Sequence, residues 1–434
     1  MGLYKVREFM IALIDRFNQV SLHDPSQDII DVYKNVPEIN ELDNRGFKIC
    51  RPLFSHSSLP NTLDLDVVEV DDFDFKSEFS YFVYVHHNQE LWTKHLDLIP
   101  KKVLDGVRSG KGKLIFDNSL EGERIDGDFF INPFYESIDK LNLPTENIYF
   151  ITNNLIAEKT HNEYNRKDKI NVISIMWNVF DVQRLKKLKH LPNKINIQNV
   201  IDYKEINSTK YFLKINRTNR AERDLFMLFL EYENLLDKCL ISFPQLTEFW
   251  QEGVWPPEYF KTYFSDDNLS NLRSKLPFDI DKTDETNHGP AGVGKGKFNA
   301  DLPFNPIHYK NSFISIVMAA FPFEQNAYHL HSSTFNPMYC GHPIIQFAPY
   351  KTLELMKQYG FKTFDTWWDE SYDDEPDGWK RLKMITELVL KISKMDNNIL
   401  LGMYKNMKEV LQHNIDIIEN YDIKTNLYDR IYND

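Results

Sequence analysis

The chain has 434 residues, which is enough for two or three domains with well-buried cores. Its 42% hydrophobic and 26% charged content is that of an ordinary globular protein, and its 14% aromatic content excludes a wholly disordered chain. The formal net charge of −13 excludes a protein that grips nucleic acid with its whole surface, although it leaves room for a local basic groove.

Three scattered cysteines and a short apolar N-terminal run bear on the compartment. Cys50, Cys239 and Cys340 have no CxxC spacing, so they predict neither a disulfide framework nor a thiolate zinc site. A reducing compartment is therefore expected. The N-terminal run is too short to span a bilayer, and Glu8 and Asp15 flank it, unlike the ends of a signal peptide. We expect a cytoplasmic protein without a membrane span.

The first half of the chain predicts a parallel sheet with crossover helices. A peripheral α/β segment over 1–78 precedes a β-prone run at 81–85. A further strand followed by a polar loop is predicted at 113–116, and the same combination of strand and polar loop is predicted within 147–154 and within 170–180. Strands that alternate with helical stretches at this spacing are typical of a parallel sheet, because parallel neighbours need long crossover connections.

The polar residues that follow these strands are candidates for catalysis, because ligands gather at the carboxyl ends of strands in open α/β sheets. Asp117 and Glu121 follow the strand at 113–116, and His87 follows the strand at 81–85. Any one of them could serve as a base toward an acceptor hydroxyl. The alternative for each is a solvated loop side chain without a catalytic role.

Residues 184–194, with the sequence RLKKLKHLPNK, form a local basic run in an otherwise acidic protein. Most such runs are solvated faces. The alternative is a surface that touches a polyanion.

A second α/β unit begins with the strand predicted at 210–216. The helix predicted after it carries Arg217, Arg220 and Arg223, which are three residues apart and would share one face. A helix N-terminus attracts anions through its free N–H groups and its dipole, so three arginines there indicate a phosphate site. The alternative is a set of surface arginines paired with the neighbouring carboxylates of Glu222 and Asp224.

The strand predicted at 238–243 is followed by a stretch over 245–310 that is predicted to be irregular. The sequence GPAGVGKG within it has the GxxxxGK spacing of a P-loop. Gly296 stands where that motif needs Ser or Thr to hold Mg²⁺, and no apolar strand precedes the loop. ATP hydrolysis through a P-loop is therefore excluded.

The C-terminal third predicts a buried strand at 313–321 and then half of an α/β nucleotide-binding domain. Residues 334–381 predict a helix, a short buried strand, a second helix that stops at Gly360, and an acidic aromatic loop. This loop is predicted to be structural, with a metal site as the alternative. Two amphipathic helices that break near 396–398 complete the chain. The first has an apolar stripe at Ile385, Leu388, Val389 and Ile392.

Several short motifs follow one another in an order that resembles a known enzyme family. A strand ending Lys214-Ile215-Asn216 precedes the arginines, and the patterns Thr-Phe-x-Pro, G-x-P-I-I, G-F-x-T-F and D-E-S-Y-D follow later. The matching residues are Asn216, Arg217, Arg220, Arg223, Thr334, Phe335, Pro337, Gly341, Pro343, Ile344, Ile345, Gly360, Phe361, Thr363, Phe364, Asp369 to Asp373, and Arg381. The chain thereby resembles the GT-B glycosyltransferases, in particular the fucosyltransferase-like and exostosin-like group with its virus-encoded relatives.

The resemblance implies an α/β fold with two Rossmann-like domains facing a cleft, and with C-terminal helices packing back on the body. The implied parts are an acceptor-side domain over 1–209, a nucleotide-sugar-binding domain over 210–400 and a C-terminal helix over 401–434. Such enzymes often need no metal, because protein cations and helix dipoles stabilise the leaving diphosphate. No cofactor is expected besides the nucleotide-sugar co-substrate.

The resemblance also implies roles for individual residues. The arginines would neutralise the donor diphosphate, and the turn that opens the later helix would bind ribose or phosphate. The implied donor-binding residues are Arg217, Arg220, Arg223, Ser332, Ser333, Thr334 and Asn336. The sugar would pass to an acceptor hydroxyl that Asp117, Glu121 or His87 deprotonates.

Ser332-Ser333 stand where the family usually carries Glu-Lys, and they supply no charge. Three functions stay open. The first is a glycosyltransferase that acts on a glycan or a lipid-linked sugar. The second is a viral enzyme in the host cytoplasm that modifies a hydroxylated or hydroxymethylated DNA base, which the basic run at 184–194 and the Lys/Asn/Ile-rich composition motivate. The third is a non-catalytic nucleotide-sugar-binding protein.

Overall fold

The structure is a computed structural model that describes most of the chain between residues 11 and 433. The described residues are 11–14, 59–63, 65–84, 96–119, 122, 124–127, 130–187, 195–207, 209–216, 220–247, 256–280, 306–319 and 322–433. They form an α/β fold with two sheets, in each of which all neighbouring strands are parallel. The prediction of an α/β protein with parallel sheets is therefore confirmed.

The chain divides by its contacts into two compact units. Unit 1 comprises Met1–Trp177, Asn326–His329 and Asp422–Asp434, and unit 2 comprises Asn178–Gln325 and Leu330–Tyr421. The boundaries of these units differ from the domain boundaries expected from the sequence. Residues 178–209 group with the second sheet, and residues 422–434 return to the first.

Sheet 1 belongs to unit 1 and has six strands in the order β2-β1-β3-β4-β5-β6. The strands are β1 (Ile11–Ile14), β2 (Asp66–Glu69), β3 (Phe79–Tyr84), β4 (Gly112–Asn118), β5 (Ile148–Thr152) and β6 (Asn171–Ser174). The helices between them are α1 (Leu59–Thr62), α2 (Lys101–Arg108), α3 (Ile131–Lys140) and α4 (Ala157–Asn162), with 3₁₀ turns at Leu96–Leu98 and Thr145–Asn147. The strands predicted at 81–85, 113–116 and 147–154 are confirmed.

Aromatic side chains fill the layer between sheet 1 and its helices. A Cβ atom on Gly106 or Gly112 would lie 2.6 or 2.4 Å from the ring of Phe79. Only glycine allows this close approach of backbone and ring in a densely packed layer. Farther along the sheet, the rings of Phe130 and Phe150 have their centroids 4.5 Å apart. The core thus continues from β3 to β5.

Sheet 2 belongs to unit 2 and has four strands in the order β10-β9-β7-β8. The strands are β7 (Lys210–Ile215), β8 (Cys239–Ser242), β9 (Ser312–Met318) and β10 (Ile344–Phe347). All residues of β9 and β10 are buried, as expected for parallel strands covered on both faces. The strands predicted at 210–216, 238–243 and 313–321 are confirmed.

The helices that accompany sheet 2 include several that the sequence did not predict. They are α5 (Trp177–Lys187), α6 (Ile197–Ile206), α7 (Ala221–Tyr232), α8 (Asp266–Lys275), α9 (Pro306–Lys310), α10 (Ser332–Tyr339), α11 (Thr352–Gln358), α12 (Gly378–Ser393), α13 (Asn397–Asn406) and α14 (Lys408–Asn420), with 3₁₀ turns at Leu236–Lys238, Glu258–Phe264 and Ser371–Asp374. The helix, strand and second helix predicted over 334–381 correspond to α10, β10 and α11. Gly360 has a left-handed φ of 90° just after α11, as its predicted role as a helix stop requires.

Two sequence-based predictions of secondary structure are wrong. The strand predicted within 170–180 is present as β6, but the residues from Trp177 onward form helix α5 and not the predicted loop. The stretch over 245–310 is not wholly irregular, since it contains α8 and α9. The Ser265 hydroxyl caps α8 by accepting a hydrogen bond from the Asn268 N–H. This N-cap serine was a local indication of a helix, but the polar composition of the stretch led to the prediction of irregular structure.

The C-terminal helices follow the predicted pattern with two more breaks than expected, at Met407 and at 421–422. All four residues of the predicted apolar stripe on α12 are buried, and Asp396 caps α13 after the predicted interruption. A final helix, α15 (Ile423–Tyr432), belongs to unit 1 and packs on sheet 1. There the Tyr432 hydroxyl donates to Ser80 Oγ at 2.9 Å, and Arg430 pairs with Glu158 at 2.8 Å. In the described ranges no helix is both long and apolar enough to cross a membrane.

Candidate functional site

The carboxyl edge of sheet 1 carries a row of buried polar side chains. Asp117, Asn118 and Ser119 lie at the end of β4, and Thr152, Asn153 and Asn154 lie at the end of β5. The two ends are adjacent because Asn118 is in register with Thr152 across the parallel ladder. Polar residues are rarely this deeply buried in a row, so this edge of unit 1 is the first candidate site.

Hydrogen bonds within this edge hold part of the row in place. The Ser119 N–H donates to Asp117 Oδ1 at 3.0 Å, which orients the carboxylate. The Thr152 hydroxyl donates to Asn118 Oδ1 at 3.3 Å and accepts from the Asn154 N–H at 3.1 Å. The bonds of Asp117 and of Asn154 span two residues, as in the turns that Asp, Asn and Thr form where a strand ends, whereas the bond from Thr152 to Asn118 joins the ends of β5 and β4.

Two side chains of the row have no hydrogen-bond partner. The Asn153 amide lacks a partner on both its oxygen and its nitrogen, and the Ser119 hydroxyl lacks one as well. Both residues are 0% exposed. A buried polar group without a partner costs about 1–3 kcal/mol, so native proteins keep few of them and each calls for an explanation.

A segment from a distant part of the chain, Asn326–His329, completes this edge, and we call it the strap. Both polar atoms of the Asn154 side chain bind the strap. Its Oδ1 accepts from the Tyr328 N–H at 3.1 Å, and its Nδ2 donates to the Asn326 carbonyl at 2.9 Å. The strap also brings His329 against Gly122, where a Cβ atom would lie 2.2 Å from that of His329. Sequence reasoning missed the strap because more than 170 positions separate it from Asn154.

The three predicted catalytic residues have different outcomes. Asp117 lies at the carboxyl edge of sheet 1, where the strand pattern predicted it. Glu121 and His87 lie outside the described residues. Sequence reasoning did not single out Ser119 and Asn153. Each is the polar residue that directly follows its strand, Ser119 after β4 and Asn153 after β5, and this position was the signal that could have found them.

The arginines predicted to share a helix face do not do so. Helix α7 begins at Ala221, so Arg220 is its N-cap residue and has an extended backbone with φ −157° and ψ 153°. Arg217 lies outside the described residues. Of the three, only Arg223 projects from α7. The argument from i, i+3 spacing is therefore wrong, because the helix begins one residue after the second arginine.

Arg223 is buried at the carboxyl edge of sheet 2. It is 7% exposed, and its Nη2 donates to the Met318 carbonyl at 3.1 Å and the Ala319 carbonyl at 3.3 Å. Its Nε lies 4.0 Å from Glu222 Oε1, which is also buried, so this is not a surface ion pair. Burial and the neighbouring Arg220 lower the pKa of Arg223 to about 10. The guanidinium thus ties α7 to the end of β9.

Further charged groups are buried beside Arg223. Lys214 on β7 donates to Asn216 Oδ1, and burial lowers the pKa of its ammonium to about 7. Asp224 Oδ2 accepts from the Thr247 N–H at 2.7 Å and from its hydroxyl, while burial raises the pKa of this carboxyl to about 7. This cluster combines both signs of charge, so its members compensate one another in the interior.

The predicted donor-binding residues of α10 lie on its first turn and in its interior. Ser332 is half-buried and Ser333 is exposed, whereas Thr334 and Asn336 are buried within the unit. The helix has no side-chain cap, and the Thr334 N–H donates to the His331 carbonyl at 2.9 Å. The N-terminus of α10 therefore offers hydroxyls and backbone N–H groups but no charged side chain from these four residues.

The acidic loop between α11 and α12 is tied into the fold by its carboxylates. The Asp373 carboxylate accepts from the N–H groups of Leu353 and Glu354 at 3.0 and 3.1 Å, at the start of α11. Asp377 caps α12 in the same manner. Arg381 is 2% exposed and donates to carbonyls that include Ala348 and Pro322, at 2.9 and 2.6 Å. The prediction of a structural loop agrees with these contacts. Over the described ranges no group of three or more His, Cys, Asp or Glu residues could hold a metal ion.

A serine–histidine pair in unit 2 resembles a catalytic arrangement but is enclosed. His342 Nε2 donates to the Ser312 carbonyl at 2.8 Å, so its Nδ1 accepts from Ser315 Oγ at 2.7 Å. The serine is therefore the donor toward a neutral imidazole. Burial holds the pKa of His342 well below its usual range. Both side chains are buried, so we interpret the pair as a structural contact between β9 and the residues that precede β10.

Two other predicted features cannot be located. Residues 188–194 of the basic run are outside the described ranges, and only the backbone of 184–187, at the end of α5, is described. The glycine-rich stretch around Gly296 is likewise outside them.

Comparisons with known proteins give no family for this chain. No family model matches it, and no curated protein matches it. One solved structure, the N-terminal domain of Candida albicans trehalose-6-phosphate phosphatase, aligns over 82% of this chain and 70% of its own. The sequence identity is 10% and the TM-score is 0.36, which is too low to carry an argument about fold or activity.

Proposed function

We propose that the protein is a glycosyltransferase that moves a sugar from a nucleotide-sugar donor to an acceptor hydroxyl. In this proposal unit 1 is the acceptor side and unit 2 is the donor side of a GT-B arrangement with two facing Rossmann-like domains. The observation that supports it most is the Asp117 carboxylate at the carboxyl edge of sheet 1, next to hydrogen-bonding groups that have no partner in the protein.

Asp117 is the proposed general base. Its carboxylate would take the proton of the acceptor hydroxyl as that oxygen attacks the anomeric carbon of the donor sugar. The bond from the anomeric carbon to the donor phosphate then breaks, and the nucleoside diphosphate leaves with the electron pair. The hydrogen bond from the Ser119 N–H holds the carboxylate in one orientation for this transfer.

Arg220 and the first turns of two helices are the proposed donor-binding groups in unit 2. Arg220 immediately precedes α7, where N–H groups and the helix dipole favour an anion. Ser332 and Ser333 at the start of α10 would bind ribose or phosphate through their hydroxyls. Arg217, outside the described residues, keeps its predicted role in phosphate binding. Arg223 acts through the fold, because its guanidinium is bonded to backbone carbonyls.

Calorimetric titration with a panel of nucleotide sugars, followed by an assay for released nucleoside diphosphate, tests the proposal. Substitution Arg220→Ala should raise KM for the donor or lower kcat by about tenfold or more, because a charge-assisted hydrogen bond to phosphate is lost. Substitution of Arg273→Ala, an exposed arginine on α8, is the matched control and should leave both constants unchanged. Absence of both binding and release with every donor would overturn the proposal.

A second candidate is a nucleotide-sugar-binding protein without turnover. The observation that favours it is the uncharged first turn of α10, where Ser332 and Ser333 provide hydroxyls only. Donor binding without diphosphate release, in the presence of every acceptor offered, would establish this function instead. Transfer of radioactive sugar to hydroxymethylated duplex DNA would establish the third function, modification of viral DNA.

A further inference from the structure

The unpartnered groups at the carboxyl edge of sheet 1 have a definite chemical character. The Asn153 amide has donors and an acceptor to offer, and the Ser119 hydroxyl can either donate or accept. Both are enclosed, so a hydrogen bond formed with them would be stronger than the same bond in water. Together they match a ligand group that can donate and accept at once. Hydroxyl groups have this property.

The charge at this edge argues against a phosphate-bearing ligand. Among the described residues that are buried at the ends of β4 and β5, Asp117 is the only charged side chain, and it is an acid. The nearby Arg124 is bonded to Asp126 through two nitrogens at 2.9 and 3.0 Å. A polyanion here would meet a carboxylate without a buried cation to offset it.

We infer that Asn153 and Ser119 bind the hydroxyl groups of an uncharged saccharide, which is the acceptor of the transfer. This inference rests on the proposed glycosyltransferase function and selects among its acceptors. Duplex DNA with a modified base is the acceptor that this edge disfavours. The Asn153 amide orients the sugar ring, and Asp117 takes the proton from the hydroxyl that reacts.

Adjacent asparagines allow a test with an internal control. Asn153→Leu keeps the size of the side chain and removes the unpartnered amide, so the melting temperature should rise by about 2 °C or more. Asn154→Leu removes three hydrogen bonds, to Asn326, Tyr328 and Ile156, so the melting temperature should fall by a similar amount or more. A fall with Asn153→Leu would mean that a buried water or the protein itself satisfies the amide, and it would overturn the inference.

Binding of the ligand class is measured on the full chain with a panel of neutral mono- and oligosaccharides, by saturation-transfer NMR and calorimetry. At least one member should bind, and Asn153→Leu should weaken it by about tenfold or more, the loss of one buried hydrogen bond. Ser119→Ala is the second variant, because it removes only one oxygen atom and should fold in any case. It should weaken the same saccharide. Binding that both variants leave unchanged, or no binding by any saccharide, overturns the inference.

The inference and the proposed function can fail separately. Release of nucleoside diphosphate from a donor in water, without an acceptor, reports on the donor side alone. If release occurs and hydroxymethylated duplex DNA is labelled while every saccharide is not, the acceptor inference is wrong and the glycosyltransferase stands. If no donor binds while a saccharide binds through Asn153, the transferase is wrong.

Discussion

The carboxyl edges of the two sheets differ in their buried charges and in their hydrogen bonds. The edge of sheet 1 is nearly neutral, and two of its buried side chains have no partner. The edge of sheet 2 holds Lys214, Glu222, Arg223 and Asp224 in one buried cluster, and its arginine is bonded to strand carbonyls. The charged residues that follow β7 are thus buried inside unit 2, and Glu222 Oε1 and Asp224 Oδ1 among them also lack a hydrogen-bond partner. At the edge of sheet 1 the groups without a partner are neutral.

Charge density in a sequence is therefore a weak guide to a ligand site. A buried charge is tolerated when opposite charges and hydrogen bonds surround it, so a cluster of charges can be a structural device. An amide without a partner has no such compensation inside the protein. A neutral side chain without a partner therefore indicates a ligand more directly than a buried charge within a cluster of opposite charges does.

The largest effect is expected from Arg223→Ala. Two carbonyls at the end of β9 lose their donor, and two acidic side chains lose a buried cation, so the free energy of unfolding should fall by about 3–5 kcal/mol. Urea unfolding measures this change. Arg273→Ala on exposed α8 is the control and should change the free energy of unfolding by about 0.5 kcal/mol or less. Unchanged stability with a lost donor affinity would show that Arg223 itself binds a ligand and does not act through the fold.

An intermediate effect is expected from Gly122→Ala, which tests the strap at the edge of sheet 1. The added Cβ would lie 2.2 Å from the Cβ of His329, so either the strap or the loop must move, at a cost of about 1–3 kcal/mol. Gly402→Ala is the matched control, because no atom lies within 4 Å of its added Cβ. That substitution in a helix should stabilise by up to about 1 kcal/mol. Equal stability of the two variants would argue against a fixed strap.

A third expected effect is a pH dependence at the edge of sheet 2. The pKa of Asp224 is raised to about 7 from an ordinary value of 3.8, so the folded state holds a proton that the unfolded state releases between these values. The stability from Asp224 is complete below about pH 4 and is lost as the pH rises through about 7. Asp224→Asn does not titrate, so wild-type stability should fall relative to this variant between pH 4 and 7. The nearby Lys214 and Glu222 titrate in both proteins. Urea unfolding at pH 5 and pH 7.5 measures the difference, and a constant difference would contradict the shift.

Much of the fold follows from patterns within short stretches. The apolar runs of β3, β5, β7 and β9 are flanked by polar turns and are long enough to mark strands. The order of helix, strand and helix from α10 to α11 was predicted equally well, because Gly360 marks the end of α11. Predictions were wrong where an apolar run is compatible with either a strand or a helix. This is the case over 170–180, where the apolar residues continue from a strand into a helix.

The candidate site was less predictable than the fold. The strand pattern identified Asp117, because a polar residue after an apolar run marks a strand end. The same pattern was present at Asn153, but an asparagine after a strand is common, and only its missing partners make it unusual. The arginines illustrate the reverse case. The position at which α7 begins decided that Arg223 points into the fold and that Arg220 does not belong to the helix.

Local sequence patterns predict the class of fold, the parallel strands and some helix ends, such as the stop at Gly360, because these depend on periodicity, turn residues and caps within about ten positions. Which polar side chains have hydrogen-bond partners depends on the tertiary structure. Asn154 finds its partners in a strap more than 170 residues away, and Asn153, the next residue toward the strand, finds none. Because hydrogen bonding depends on contacts between distant parts of the chain, two adjacent asparagines have different roles. Asn154 stabilises the fold, and Asn153, we propose, binds the ligand.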